Sequence, residues 1–485
     1  METICSFDVF DTLIARRCVT PERIHDGVES RSAVPGLAHA RRQADSVLHG
    51  MQRGYDLLCI YVLACRLLGL PVERAEALAA LEFEIELENV IPITHNLQRV
   101  RGDDLLISDM YLSEAQIRAL LARAGAPLRN TLLVSNHGKS SGRVWAALQG
   151  RVAISQHYGD NVHSDHVMPA RSGFAGTVVG QHLPSVAEQR CTELGLHELA
   201  QAMRSTRLAD GHAGEGTVLW QAACQLNFPL LVMASAALEA VAVGVGVNTG
   251  FERRVFFARD GNLWIDVHRH LFPASDSAYL YCSRQALLSG DSEFDRYFDA
   301  VSGSAALHVD LYSTGSSFSS YLARRQRRGH LFVICHADDT SYRHTTEAER
   351  NSLALHASMR RSALLAPRAQ LGLGLEMANF ALHRRVRGVL AMPGGHVPVF
   401  VAEREYDEHK VAVQHAAVHA CLQAFDARRC LQELAAVDTG PLMQWLYTEI
   451  SGHQALVRCF PEHHAADTQY LISLARAQRQ PALAA

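Results

Sequence analysis

Ser6-Phe7-Asp8-Val9-Phe10-Asp11-Thr12-Leu13 decides how the first part of the chain is read. The run Thr3 to Phe10 is apolar with β-branched and aromatic residues, which predicts a buried strand with a carboxylate, Asp8, near its tip. Three more apolar runs repeat the pattern. Leu105-Leu106-Ile107-Ser108 leads to Asp109, and Thr131 to Ser135 leads to Gly138-Lys139-Ser140-Ser141-Gly142. Val152 to Tyr158 leads to Gly159-Asp160-Asn161-Val162-His163-Ser164-Asp165. Helix-forming stretches lie between them: Leu57 to Leu63, Ala75 to Leu87, and Ser113 to Ala124 with Ser113 as cap and Glu114 in the first turn. Strands alternating with helices imply a parallel sheet with crossovers, and ligands of such sheets gather at the carboxyl ends of the strands.

The residues expected there suit phosphoryl transfer. A phosphomonoester is dianionic, so an anionic nucleophile needs its repulsion shielded. Mg2+ held by Asp8 and Asp160, with Asp165 nearby, would supply that shield. Asp8 would then attack phosphorus and form an aspartyl phosphate. Ser108 and Lys139 would hold the phosphoryl oxygens, and the Lys139 charge would keep Asp8 ionised. Asp104 and Asp109 are read as structural, Asp109 as a cap or orienter of its loop.

The order, types and spacing of these four motifs resemble those of haloacid dehalogenase-superfamily phosphatases, over residues 1 to about 180. The resemblance implies a phosphatase domain at 1–180 with a helical cap at about 18–95, between the first and second motifs. One position departs. Members usually carry a second aspartate two residues after the nucleophile, as general acid and base; here that residue is Phe10. Asp11 lies one further and is expected to point elsewhere, because strand-end side chains change face with each residue. Three outcomes stay open. Asp11 reaches the site by a local turn, another group protonates the leaving group, or the domain is catalytically weak.

Residues 181–250 read as a helical connector, with Ala209 to Gly216 as its best loop. Phe228 to Val247 is long enough to span a bilayer. With Pro229 near its start and Glu239 in its middle, it is expected to be a buried helix running into a glycine-rich turn. Strand-like runs then resume as a second α/β unit at 251–405: Val255 to Ala258, Ala278 to Cys282, Leu307 to Asp310, and Leu331 to Cys335. The strand ending in Asp310 is followed by Thr314-Gly315-Ser316-Ser317 and a helix from Phe318 to Arg324. Amides at that helix start and the loop hydroxyls would cradle a phosphate, and Asp310 would accept hydrogen bonds from sugar hydroxyls. Arg259-Asp260-Gly261 and Arg284 sit at neighbouring strand ends, which suits a ligand with several phosphates. Glu376 is read as a helix-face carboxylate, with a base near the sugar as the alternative. Arg384, Arg385 and Arg387 either meet a phosphate or form a solvated face. Residues 406–485 are expected to be helical, with a frayed tail at Gln480 to Ala485.

This second unit resembles type I phosphoribosyltransferases. The resemblance implies phosphoribosyl pyrophosphate as ligand, with Asp310 on the ribose diol and Thr314, Gly315, Ser316 and Ser317 on the 5-phosphate. Arg259, Asp260 and Gly261 would form the pyrophosphate loop, and Arg284 a further pyrophosphate contact. Val309 stands where the family usually has the first of two acids. The whole chain is similar to bacterial two-module proteins of polysaccharide assembly. That implies transfer of 5-phosphoribose to a glycan or lipid-linked glycan acceptor, then removal of the 5-phosphate to leave ribofuranose. Two alternatives remain: a stand-alone magnesium-dependent sugar-phosphate or nucleotide phosphatase whose second domain selects substrate, and a non-catalytic scaffold. The fold expectation is α/β: a Rossmann-like parallel sheet with a helical cap insert, a second phosphoribosyltransferase-like α/β domain, and helical segments.

The bulk properties agree with that outline. At 485 residues the chain is too long for a single ordinary core. A net charge of -4 supplies no overall basic field, so no nucleic-acid partner is expected. The N-terminus has no secretory pattern, and the eleven cysteines form no Cys-x-x-Cys pair, so a cytoplasmic protein is expected, and the glycan acceptor allows peripheral membrane association. His268 and His270, like His463 and His464, are read as surface or satisfied core histidines.

Overall fold

The computed structural model describes residues 3–51, 54–257, 259–336, 346–360, 373–403 and 405–461. The chain divides into two compact α/β units, Met1–Thr192 with Ala200–His212, and Glu193–Leu199 with Ala213–Ala485. The helical stretch 181–250 is therefore shared: the helix His197–Leu208 falls largely in the first unit, and Glu215–Ala222 and Phe228–Thr249 in the second. Gln480–Ala485, His463 and His464 lie outside the described residues.

The first unit contains β1 (Ile4–Phe7), β2 (Ile14–Arg16), β3 (Val90–Pro92), β4 (Leu105–Asp109), β5 (Leu132–Ser135), β6 (Ile154–Gly159) and β7 (Gly176–Val178). Five of them form a parallel sheet in the order β5-β4-β1-β6-β7. Both faces are covered, which is why β4 reads as an unbroken apolar run. Leu106 packs with Phe7, Ile117 and Leu120 on one side, while Leu105 and Ile107 pack with Trp145 and Phe174 on the other. The expected first strand is shorter than Thr3 to Phe10. It ends at Phe7, so Asp8 is the first residue beyond it. The helix after β4 starts as expected: Ser113 and Gln116 form a reciprocal capping box.

Between β1 and β4 the chain leaves the sheet through a two-stranded stalk, β2 antiparallel to β3. The stalk carries four helices, Glu22–Ser32, Leu37–Gly50, Leu57–Leu67 and Ala75–Asn89. Inside this insert Arg41 makes a fork-to-fork pair with Glu82, at 2.7 and 2.9 Å, and Tyr61 OH donates to the same carboxylate at 2.6 Å. Arg16 on the stalk pairs with Glu86 in the same way. Buried charges are tolerated there because every one is matched.

The second unit contains β8 (Arg253–Phe257), β9 (Ser277–Leu280), β10 (Ala306–Ser313), β11 (Gly329–His336), β12 (Leu353–Arg360), β13 (Val386–Met392) and β14 (Gly395–Phe400). Its parallel sheet runs β12-β11-β10-β8-β9, and β13 and β14 form an antiparallel hairpin. The apolar helix does not turn at its glycines; it continues through Gly244 to Thr249, correcting the expected glycine-rich turn. A helical glycine costs only about 1 kcal/mol, little against the packing of the preceding turns. By length and composition the span Glu215–Gly244 would cross a membrane, but Phe228 to Ala234 are in the core. Glu239 is paired with Arg254 and His268, at 2.8 and 2.9 Å. His268 is thus a satisfied core histidine.

Candidate functional site

In the first unit the chain reversal after β1 presents Asp8, whose amide donates to Tyr158 O at 2.8 Å. Neighbouring strand ends supply the rest. Ser108 is buried near the end of β4, and Asp160 follows directly on β6. Lys139 comes from the loop after β5, and Asp165 from a wide helical turn, Val162–Val167. Lys139 Nζ donates to Asp8 Oδ1 at 2.5 Å and to Asp165 Oδ1 at 2.6 Å. One carboxylate oxygen from each of Asp8, Asp160 and Asp165 lies within 4.8 Å of the other two. Residues separated by about 150 positions therefore meet at one point, as the strand-end reading requires.

Supporting contacts hold the Lys139 loop and Asp165. Asp109 takes hydrogen bonds from Ser135 Oγ and Gly138 N, both at 2.7 Å, and from Ser140 N and Oγ at 3.2 Å. It thereby orders the loop that carries Lys139. Asp104 accepts from the amides of Cys5 and Arg101 and is structural. Asp165 accepts from Asn161 N at 3.0 Å and from His157 Nε2 at 3.1 Å. A carboxylate only accepts, so His157 is protonated at Nε2, and its Nδ1 takes the Ser6 hydroxyl at 2.8 Å. A side chain on Gly159 would put Cβ 2.3 Å from the Asp165 carboxyl carbon, so only glycine fits there.

Electrostatics favour a cation. Burial pushes the Asp8 carboxyl well above the ordinary carboxylate range; Lys139 pulls it back, and the charges of Asp165 and Asp160 push it up. Asp160 is raised by burial, then by Asp11 and Asp165. Burial would raise Asp165 too, but the His157 hydrogen bond and the Lys139 charge bring it down to about 2. Burial and mutual repulsion raise Asp8 and Asp160, a penalty that a divalent ion held between them would relieve, and hard oxygen donors are the ligands Mg2+ takes. The residues present fit such an ion. Asp165 already accepts three hydrogen bonds, so Asp8 and Asp160 would hold the ion most directly.

Asp11 does not sit on a strand. It adopts a left-handed turn with φ 54°, and its amide donates to Ile14 O at 2.7 Å. The turn brings its charge close enough to raise Asp160. The expectation that it points elsewhere rested on strand alternation, and the strand has already ended. Sequence reasoning missed Thr12, whose hydroxyl donates to Asp8 Oδ2 at 3.4 Å, and His157. His157 follows Ser155 and Gln156 in β6, so no break in an apolar run marks it in the sequence.

In the second unit the predicted residues divide. Asp310 lies inside β10, which runs on to Ser313, so it does not end its strand as expected. The helix starts at Ser316, two residues earlier than expected. The Thr314–Ser317 loop is partly closed on itself: Ser316 N donates to Thr314 Oγ1 at 3.3 Å and Gly315 N donates to Ser313 Oγ at 3.0 Å. Asp260 precedes the helix Gly261–Leu271, and Arg284 opens the helix Arg284–Leu288 behind the Ser283 cap. Burial, the Glu376 charge and the Asp310 charge raise Asp260 well above its usual range, against Arg259. Burial raises Asp310 to about 7, with Glu376 adding to it and Arg284 opposing. Glu376, on the helix Leu373–Ala378, is thus felt by both aspartates. Arg259 pairs with Glu405 and lies 5.6 Å from the Tyr406 ring, so its guanidinium is already engaged.

A scan against protein-family models and a search of curated proteins both find no match for this chain.

Proposed function

We propose that the first unit is a magnesium-dependent phosphomonoester hydrolase acting through an aspartyl phosphate. The observation that carries this reading is the Lys139 ammonium bridging Asp8 and Asp165 beside Asp160. A divalent ion at Asp8 and Asp160 would neutralise charge on the substrate's phosphoryl oxygens. Lys139 and Ser108 would hold those oxygens while an Asp8 carboxylate oxygen attacks phosphorus in line. The P–O bond to the leaving group breaks as the Asp8–phosphorus bond forms. Asp11, reached by its turn, would give a proton to the leaving oxygen. It would later take one from the water that hydrolyses the acyl phosphate, releasing inorganic phosphate and restoring Asp8.

The second unit, on the same proposal, takes phosphoribosyl pyrophosphate and transfers 5-phosphoribose to a glycan hydroxyl, with loss of pyrophosphate. The first unit then removes the 5-phosphate. The support is the grouping of Asp260, Asp310 and Glu376 with Arg259 and Arg284 around the end of one parallel sheet. Acids beside arginines suit a ligand with both hydroxyls and phosphates. A narrower reading, a phosphatase with a substrate-selecting second unit, is favoured by the engaged Arg259 and the self-capped loop. Calorimetry with phosphoribosyl pyrophosphate and magnesium separates the two. Binding weakened by Asp310→Asn supports transfer, and no heat above that of ribose 5-phosphate rejects it.

A further inference from the structure

The β13–β14 hairpin of the second unit has two unlike faces. Its register pairs Leu390 with Val397 and Met392 with Gly395, and a Pro393-Gly394 turn closes the tip. Side chains alternate across such a ladder, so Leu390, Met392 and Val397 share one face. Val389, opposite Pro398, belongs to the other face, and it is 4% exposed in the unit's core. His396 there lies 5.7 Å from the Tyr297 ring. The first face is bare: Leu390 is 59% exposed, Met392 54% and Val397 50%. Leu382, just before the hairpin, is also 50% exposed. Three large apolar side chains on one outer hairpin face are more than the scattered exposure of an ordinary soluble surface.

The hairpin segment's own charged residues have one sign, although Glu293 lies 3.7 Å from His396 on the inner face. From Ala381 to Ala402 the chain holds Arg384, Arg385 and Arg387 and no acidic residue. Arg384 donates to Ala402 O at 3.0 Å, and Arg385 is 3.3 Å from Glu405. Arg387, on β13 itself, is exposed and makes no ion pair among the described residues. An apolar tip flanked by arginines is the chemistry of a segment that lies in the headgroup region of an anionic bilayer. A partner protein would need an apolar pocket together with acids. A bilayer supplies both requirements over any area.

We propose that the hairpin docks on an anionic lipid surface, with Leu390, Met392 and Val397 entering the acyl boundary and Arg387 facing lipid phosphates. The inference does not rest on either activity proposed above. It gives the protein its own membrane contact, independent of any acceptor.

Flotation of the full chain with vesicles of phosphatidylcholine alone, or of phosphatidylcholine mixed with phosphatidylglycerol, tests it. The chain should float with the mixed vesicles and far less with phosphatidylcholine. Arg387→Glu should weaken flotation by at least about fivefold, the share of one arginine near such a surface. Leu390→Ser with Val397→Ser should abolish it. All three positions are exposed, so melting temperatures should stay unchanged, and Arg387→Glu is informative even if the serine pair is not folded. No flotation with mixed vesicles, or flotation indifferent to Arg387→Glu, overturns the proposal. So does a dimer in light scattering that Leu390→Ser dissolves, because a second copy would then cover the face.

Discussion

Replacing Lys139 by methionine keeps the length of the side chain and removes the one ammonium between Asp8 and Asp165. Lys139 and Asp165 are almost inaccessible, at 3% and 1%, so water cannot take over its role. Breaking a buried ion pair by removing one partner costs about 3–5 kcal/mol. The pair of acids has an escape, which is to take up a proton. An ordinary carboxyl titrates near 3.8, so protonating one at pH 7 costs about 4 kcal/mol, and at pH 5 about 2 kcal/mol. The expected deficit of Lys139→Met, with chelator present, is therefore about 4 kcal/mol at pH 7, shrinking by about half at pH 5. Magnesium should restore part of it by supplying the missing charge. Hydrogen exchange of peptides covering β1, β4 and β6, read by mass spectrometry, reports the first unit alone. A deficit below about 1 kcal/mol at pH 7, the size of an exposed pair, would refute the claim that the ammonium is the counter-charge of the cluster.

Other outcomes follow from the same contacts. Asp11→Asn should slow the first step, read as the pre-steady-state burst of leaving group, by about 10²–10⁴ for alkyl phosphates while sparing the burst from p-nitrophenyl phosphate, whose leaving group needs no proton; equal loss of the burst on both would remove Asp11 as the acid. Gly159→Ala forces Asp165 aside, so turnover should fall by about 100-fold or more with the fold retained by circular dichroism. Asp310 titrates near 7 when folded, against an ordinary 3.8, so the folded chain holds the extra proton between those values. Stability from this group is greatest below pH 3.8 and is lost as pH rises through about 7. Asp310→Asn should therefore flatten the decline of the second unit's stability over that window, and an unchanged slope in urea unfolding at several pH values would count against the buried carboxyl.

Much of the first unit was readable because buried parallel strands announce themselves as short apolar runs, and their polar tips are few. Asp8, Ser108, Lys139, Asp160 and Asp165 were found that way. What failed was the geometry just past a strand. Asp11 is read by strand alternation, whereas β1 ends at Phe7 and Asp11 itself lies in a left-handed turn. Asp310 is expected at a strand end because a charge usually marks one, yet pairing with β11 alone carries β10 on by three residues, past the last residue paired with β8. β12 and the β13–β14 hairpin escaped notice, since Leu353 to Arg360 is only half apolar and the hairpin's outer face is as apolar as its inner one. The influence of Glu376 on Asp260 and Asp310 is not legible in the sequence, because a short helix says nothing about which distant residues lie near it.

The proposed hydrolysis requires Asp8 to form a bond to phosphorus. Single-turnover reaction of the full chain with p-nitrophenyl phosphate and magnesium, quenched and reduced with borohydride, converts an aspartyl phosphate to homoserine that peptide mass spectrometry can locate. Homoserine at position 8, absent with chelator and absent in Asp8→Asn, is the predicted result. Phosphate release that continues in Asp8→Asn, or homoserine at any other position, would contradict it.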